Sequence, residues 1–147
     1  MLFDETLQGQ AIELIWLIYF YSRKKIDVHL KKVDLTYPQF GTLVALSKKE
    51  NISQKKLADI FDIDTTNMMV VCDSLEKKKL IERKSNPKDR RENLIIRTEK
   101  GKERFREAMS LMENYAEQVT GPLDKKELKT IIPTLQKMYS TLHERKK

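Results

Sequence analysis

The stretch Leu57–Arg91, LADIFDIDTTNMMVVCDSLEKKKLIERKSNPKDRR, decides the fold of this chain. Its apolar spacing predicts a short helix, a tight turn at residues 62–63 and a second helix. Two strands, Leu80–Lys84 and Asn93–Arg97, are predicted next, with a tip between them that is rich in turn-forming residues. This order of elements is typical of a winged helix-turn-helix, with a β-ribbon as the wing.

Predicted helices precede the central unit. Residues 4–33 place apolar side chains at helical spacing, but on more than one side of the helix. A surface helix needs only one apolar stripe, so this excess suggests burial against a second chain as well as the chain's own core. Thr36, with Gln39 three residues later, matches the capping-box pattern and predicts a helix that runs to about Lys48.

Two further helices are predicted after the wing. Thr98 is expected to cap a long helix that ends at Gly121. Asp124, followed three residues later by Glu127, predicts the start of a last helix. The fold class is therefore mainly α with a small β-wing, and the helical ends flank a central winged unit.

Composition and charge favour a polyanionic partner. The 147 residues carry 29 Lys and Arg against 22 Asp and Glu, a net charge of +7. Eight basic residues and two acidic ones lie between residues 77 and 91, so most of that excess is at the wing. A basic cluster of this kind suits nucleic acid, although a charge run can also be merely a solvated face.

The sequence favours the cytoplasm and no membrane contact. The single cysteine, Cys72, excludes an intrachain disulfide and fits a reducing compartment. Acidic residues stand at positions 4 and 5, where an export signal would be basic. The apolar run 11–21 is far shorter than the ~20 residues of a membrane span.

Thr65, Thr66 and Asn67 are the candidates for reading base edges. They lie in the predicted first turn of the second helix, the part that approaches the bases in helix-turn-helix proteins. Asn pairs with adenine through two hydrogen bonds, and Thr bonds to bases or phosphate. The alternative is that Asp64, Thr65 and Asn67 serve only as helix caps.

Candidates for contact with the DNA backbone lie on both sides of that helix. The preceding helix opens with Ser53, Gln54 and Lys55. Side chains at this place contact phosphate and set the register of the protein on DNA. The alternative is that these three residues are only a solvated helix start. The wing tip contributes its charged residues, of which an arginine suits a narrow, electronegative minor groove. These tip residues are Lys88, Asp89, Arg90 and Arg91.

The chain resembles the MarR family of bacterial transcription regulators between residues 35 and 101. The pieces that carry the resemblance are Leu35-Thr36-x-x-Gln39-Phe40, Leu57-Ala58, Leu75-Glu76, Asn86-Pro87-x-Asp89-Arg90-Arg91 and Thr98-x-x-Gly101. It implies a homodimer with interlocked terminal helices, each winged unit binding half of a palindromic operator in double-stranded DNA. It further implies a single domain over residues 1–147, with 36–100 as the DNA-binding unit and 1–35 and 101–147 as dimerisation helices.

The resemblance also implies residue roles, and the chain departs from the family pattern at two places. By resemblance, Arg91 is the minor-groove arginine and Asp89 its partner. We expect the regulator to be a repressor rather than an activator, although the sequence does not decide between the two. Lys79 stands where the family usually has a glycine before the first wing strand. The apolar run 68–71 stands where the recognition helix is usually more polar, which leaves few polar groups for base contacts.

Many proteins of this family lose DNA affinity when a small aromatic or phenolic effector binds between the winged unit and the dimer helices. Aromatic and basic side chains in the first two predicted helices suit such a cleft, although aromatic residues on a helix more often serve core or dimer packing. The candidate effector residues are Trp16, Tyr19, Phe20, Arg23 and Tyr37.

Other functional classes have less support. Cys72 could sense oxidants, but its apolar neighbourhood favours core packing. His29, His143 and Cys72 match no metal-ligand spacing, so no metal site or cofactor is predicted. There is no phosphate loop and no nucleophile with a nearby base, so we expect no enzyme. The main alternative is an interaction module that binds protein or RNA, although the wing has no aromatic residues for base stacking.

Overall fold

The computed structural model describes residues 6–89 and 92–143. This part of the chain contains six helices and three short strands, which confirms the predicted mainly α fold with a small wing. In chain order, the elements are α1 (Leu7–Lys31), α2 (Tyr37–Lys48), β1 (Ile52–Ser53), α3 (Gln54–Phe61), α4 (Thr65–Lys77), β2 (Ile81–Ser85), β3 (Asn93–Arg97), α5 (Glu99–Thr120) and α6 (Lys125–His143). The chain divides into two compact units, the first ending at Met112 and the second beginning at Glu113.

The predicted helix starts are confirmed by their hydrogen bonds. Thr36 and Gln39 form the reciprocal capping box of α2, in which each side chain accepts a hydrogen bond from the other residue's backbone N–H. The hydroxyl of Ser53 accepts from the N–H of Lys56 at 3.2 Å and starts α3. Asp64 is the N-cap of α4 and accepts from the N–H of Asn67 at 2.8 Å. Such caps satisfy N–H groups that have no partner within the helix.

The wing is a three-stranded antiparallel sheet rather than the two-stranded ribbon that the sequence predicted. Its order is β1-β3-β2, with Arg83 opposite Ile95 in the β2–β3 pair. The added strand β1 pairs Ile52 with Ile95, and both of these side chains are buried. Two residues are too few for a sequence pattern to reveal a strand, whose partner here lies about forty residues along the chain.

The core of the first unit lies where α2, α3 and α4 meet the sheet. Fully buried leucines from each helix, together with Met68, Cys72 and Ile95, form one cluster. The same cluster includes Leu30 of α1 and Ala108 of α5, so both long helices are tied to the winged unit. The faces of α3 and α4 that point towards this cluster are buried, whereas Lys55 and Lys56 at the start of α3 and the outer face of α4 are exposed.

Lys79 ends α4 in a left-handed conformation, with φ at 61°. The N–H of Leu80 donates to the carbonyl of Leu75 at 2.9 Å, and the N–H of Lys79 donates to that of Glu76 at 2.8 Å. This pair of hydrogen bonds is the Schellman helix end, which glycine normally fills because it has no Cβ. The lysine therefore keeps the glycine-type helix end despite the departure from the family pattern.

The terminal helices expose much of their apolar surface. In α1 only Glu13 and Leu30 are buried, and most of the apolar side chains between them are exposed, with Leu17 and Ile26 half-buried. The second unit, taken by itself, shows Ile131, Leu135 and Tyr139 exposed along α6. Across residues 6–89 and 92–143, no helix has the length and apolar content to cross a membrane.

Candidate nucleic-acid interface

The polar residues predicted to contact bases lie at the exposed start of α4. Thr65 and Thr66 occupy its first two positions, and both are exposed. Asn67 is exposed too, but its side-chain amide donates a hydrogen bond to the carboxylate of the N-cap, Asp64. Asp64 and Asn67 therefore act as capping residues in this structure, while the two threonine side chains face solvent.

Arg83 joins three elements of the winged unit, a role that the sequence analysis missed. From β2, its guanidinium forms ion pairs with Asp73 and Glu76, which lie one turn apart on α4. The same guanidinium donates to the amide oxygen of Gln54, in the first turn of α3, at 3.4 Å. The start of α3, the outer face of α4 and the first wing strand thus converge on one side chain that is 18% exposed.

The carboxylates of Asp73 and Glu76 keep Arg83 charged, and Arg83 in turn neutralises them. Partial burial alone would lower the pKa of Arg83, but hydrogen bonds to Asp73 and Glu76 outweigh it and raise that pKa. The arginine stays charged and neutralises carboxylates on the helix that is expected to face DNA. The spacing of the two acidic residues on one helix face was the only signal in the sequence, because the arginine is distant along the chain.

The wing tip is described as far as Asp89 and again from Glu92. The side-chain oxygen of Asn86 accepts from the N–H of Lys88 at 3.0 Å, and the N–H of Glu92 donates to the carbonyl of Asp89 at 3.0 Å. Lys88 is exposed on this turn. The predicted wing contacts Arg90 and Arg91 lie outside the described residues.

Of the predicted effector residues, the structure brings four together in two pairs. Trp16 and Phe20 stack at a centroid distance of 5.2 Å on α1. The guanidinium of Arg23 lies 4.0 Å from the ring centroid of Tyr37, which links α1 to the start of α2. Tyr19 is exposed. All four aromatic side chains are more than a third exposed, so the first unit does not bury them in its own core.

A cavity of about 1180 Å³ lies elsewhere in the first unit, among α2, α3, α4 and the sheet. Tyr37 is the one predicted effector residue that lines it. Its walls are mostly apolar and include Phe40, Val44 and Phe61, while Asn67 of the α4 first turn also contributes. No pattern along the chain indicated this cavity, because its walls come from separate elements.

Cys72 is fully buried in the core. Burial raises the pKa of its thiol to about 11, so the reactive thiolate is scarce at neutral pH. Within the described ranges, no group of three or more His, Cys, Asp or Glu is arranged to hold a metal ion.

The known proteins to which this chain is similar are transcriptional regulators. The MarR family profile matches residues 35–93. The chain is 35% identical over 121 residues to the uncharacterized HTH-type transcriptional regulator YdcH of Bacillus subtilis, which covers 78% of this chain and 80% of that protein. It is 29% identical over 145 residues to the organic hydroperoxide resistance transcriptional regulator of the same organism, covering 90% and 91% of the two chains.

A solved structure has the same fold. A MarR transcriptional regulator from Methanosarcina mazei superposes with a TM-score of 0.82 at 23% identity, over 90% of this chain and 95% of that one. Proteins of this family bind DNA and regulate transcription, and they are not enzymes, as the sequence analysis predicted. The extent of the match to YdcH, together with the family profile, establishes that this chain belongs to the MarR family of DNA-binding transcriptional regulators.

Proposed function

We propose that this regulator is a homodimeric repressor that binds a palindromic operator in duplex DNA. The observation that carries the proposal is the convergence on Arg83, which holds the start of α3 and the outer face of α4 beside the basic wing. In helix-turn-helix proteins, the second helix enters the major groove while the first crosses the backbone. The proposed contacts are Ser53, Gln54 and Lys55 with phosphate, Thr65, Thr66 and Asn67 with bases, and Lys88, Asp89, Arg90 and Arg91 at the wing.

The exposed terminal helices support the dimer. A helix with apolar side chains on several faces is normally buried, and large exposed apolar patches mark interaction sites. In the described chain, Leu14, Trp16 and Ile18 of α1 are each more than 40% exposed. A second copy would cover this surface, and two copies would present two recognition helices to the halves of one operator. We expect such a protein in the cytoplasm, as the sequence analysis did.

The test is a titration of purified protein against duplex DNA from upstream of its own gene, with scrambled duplex as control. We expect specific binding with two protomers per site, and a protein mass in light scattering that matches a dimer. Arg91→Ala should weaken operator binding at least tenfold and leave the dimer intact, whereas Lys137→Ala on α6 should leave affinity unchanged. Unchanged affinity in Arg91→Ala would refute the wing assignment, and a monomer would refute the two-site model.

Two related proposals concern control and alternative partners. A small aromatic or phenolic effector near Arg23 and Tyr37 would release the repressor, since the pair joins α1 to the winged unit. A panel of phenolic compounds that shifts neither melting temperature nor operator affinity would refute it. Preference for single-stranded RNA over duplex DNA would instead support the interaction-module alternative.

Oxidant sensing through Cys72 is the least supported form of control. One relative is named for organic hydroperoxide resistance. The sole cysteine of this chain, however, is inaccessible and has a raised pKa. Both properties oppose reaction with peroxide, because the thiolate is the reactive form.

A further inference from the structure

The outer face of α4 carries an exposed apolar pair, Met69 and Val70. These residues are 44% and 61% exposed, whereas Met68 and Cys72 of the same helix are buried in the core. Grouped apolar side chains that face solvent commonly mark an interaction surface. In helix-turn-helix proteins this helix enters the major groove, so the edges of the bases are the expected partner of the pair.

The neighbours of the pair on α4 connect it to the proposed DNA contacts. Thr66 lies one turn before Val70, and Asp73 lies one turn after Met69, so these residues share one face of the helix. A free carboxylate at this place would repel DNA phosphates, but Arg83 forms an ion pair with Asp73. The apolar pair is therefore continuous with the proposed interface, and its acidic neighbour is neutralised.

Few polar groups on α4 remain for reading bases by hydrogen bonds. Arg, Lys, Asn and Gln are the side chains that bind purine edges through two hydrogen bonds. Between Thr65 and Asp73 the sequence has no Arg, Lys or Gln, and the side-chain amide of Asn67 already donates to Asp64. The threonine hydroxyls can form single hydrogen bonds only. Apolar contact is therefore the main means of base recognition left to this helix.

Of the four standard bases, thymine alone presents an apolar group, its 5-methyl group, in the major groove. We propose that Met69 and Val70 determine operator specificity by packing against thymine methyl groups, so that the regulator selects T·A base pairs opposite the middle of α4. This inference rests on the proposed function, which supplies the operator. From Thr66 to Val70 the helix advances about 6 Å, roughly two base-pair steps of about 3.4 Å, so the contacts should cover about two or three adjacent base pairs in each half-site.

Replacement of thymine by uracil tests the proposal, because uracil lacks only the methyl group and keeps every hydrogen-bonding group. A preferred duplex is first selected from a random library with the whole protein, and its affinity is then measured with thymine or with uracil throughout. Loss of one methyl contact should weaken binding about fourfold, the equivalent of about 0.8 kcal/mol. With two or more contacts, the uracil duplex should bind at least about tenfold more weakly. Uracil at single positions should locate the effect at adjacent base pairs.

Variants identify the residues that respond to the methyl groups. In Met69→Ala/Val70→Ala, the ratio of thymine-duplex to uracil-duplex affinity should fall below about threefold, because the methyl groups have lost their contacts. Both side chains are exposed, so the variant should keep its fold, which circular dichroism checks. Arg91→Ala is the matched control. Its proposed contact is in the minor groove, whereas the methyl groups lie in the major groove, so it should lose affinity but retain the ratio.

The outcomes separate this inference from the proposed function. A preferred sequence that binds equally well with uracil would overturn the inference and leave the proposed function intact. An undiminished ratio in the double alanine variant would also overturn it, because the methyl effect would then come from the shape of the DNA or from another residue. A library that yields no preferred sequence would refute the proposed function and this inference together.

Discussion

Replacing Gly101 with alanine should destabilise the protein strongly, although alanine is the better helix former. Gly101 lies in the first turn of α5, where a Cβ would stand 1.9 Å from the carbonyl oxygen of Leu80. Ordinary carbon–oxygen contacts are about 3.3 Å or longer, so helix and wing would have to separate by about 1.4 Å. The obstacle is backbone rather than a flexible side chain, and rotation of a side chain therefore cannot relieve it.

The same junction carries hydrogen bonds that such a movement would stretch. The hydroxyl of Thr98 donates to the carbonyl of Lys79 at 2.7 Å, and its N–H donates to the carbonyl of Leu80 at 3.1 Å. Overpacking costs about 3 kcal/mol at the upper end of its usual range, and one lost hydrogen bond costs about 1 kcal/mol. The higher helix propensity of alanine offsets about 1 kcal/mol of these two costs. The free energy of unfolding should therefore fall by about 3 kcal/mol.

Urea unfolding followed by circular dichroism, at one fixed protein concentration, measures this change. The matched control is Gly41→Ala in α2, whose Cβ would lie 3.1 Å from the edge of the Phe61 ring, a side chain that can shift. We expect the control to change stability by no more than about 1 kcal/mol. A Gly101→Ala variant as stable as the parent would refute the argument that backbone contact decides this position.

Three further changes test other features of the structure. Lys79→Gly should raise the free energy of unfolding by up to about 1 kcal/mol, because glycine adopts the left-handed φ of 61° without strain, and Lys79→Ala is its control; a loss of stability would contradict the helix-end assignment. Arg83→Met should lower the free energy of unfolding by about 1–2 kcal/mol and weaken operator binding, because it leaves Asp73 and Glu76 without their cation. Adding Asp73→Asn, which removes one exposed carboxylate, should restore part of the lost stability and affinity. A double variant no better than Arg83→Met would argue against the ion pair. Because the pKa of the Cys72 thiol is about 11, alkylation by iodoacetamide at pH 8 should be at least a hundredfold slower in native protein than in urea and should accelerate as pH rises, whereas equal rates would show that the thiol is accessible.

Local signals in the sequence determined the helices and their starts. Thr36 with Gln39, Ser53 and Asp64 each cap a helix through a hydrogen bond to a residue three positions away. Such bonds depend on nearby residues alone, and a linear pattern is enough to predict them. The basic wing was equally visible, because its charges are consecutive or nearly so. The order of these elements, read from the chain, was sufficient for the winged helix-turn-helix.

Tertiary structure decided the features that join distant residues. Ile52 pairs with Ile95, Arg83 reaches back to Gln54, and the cavity takes its walls from three helices and the sheet. The spacing of apolar residues along the chain does not indicate such contacts, because they depend on how the helices pack once their apolar faces are buried. Lys79 combines both cases: the sequence marks an unusual residue at a helix end, and only the folded backbone shows that it takes the conformation that glycine favours.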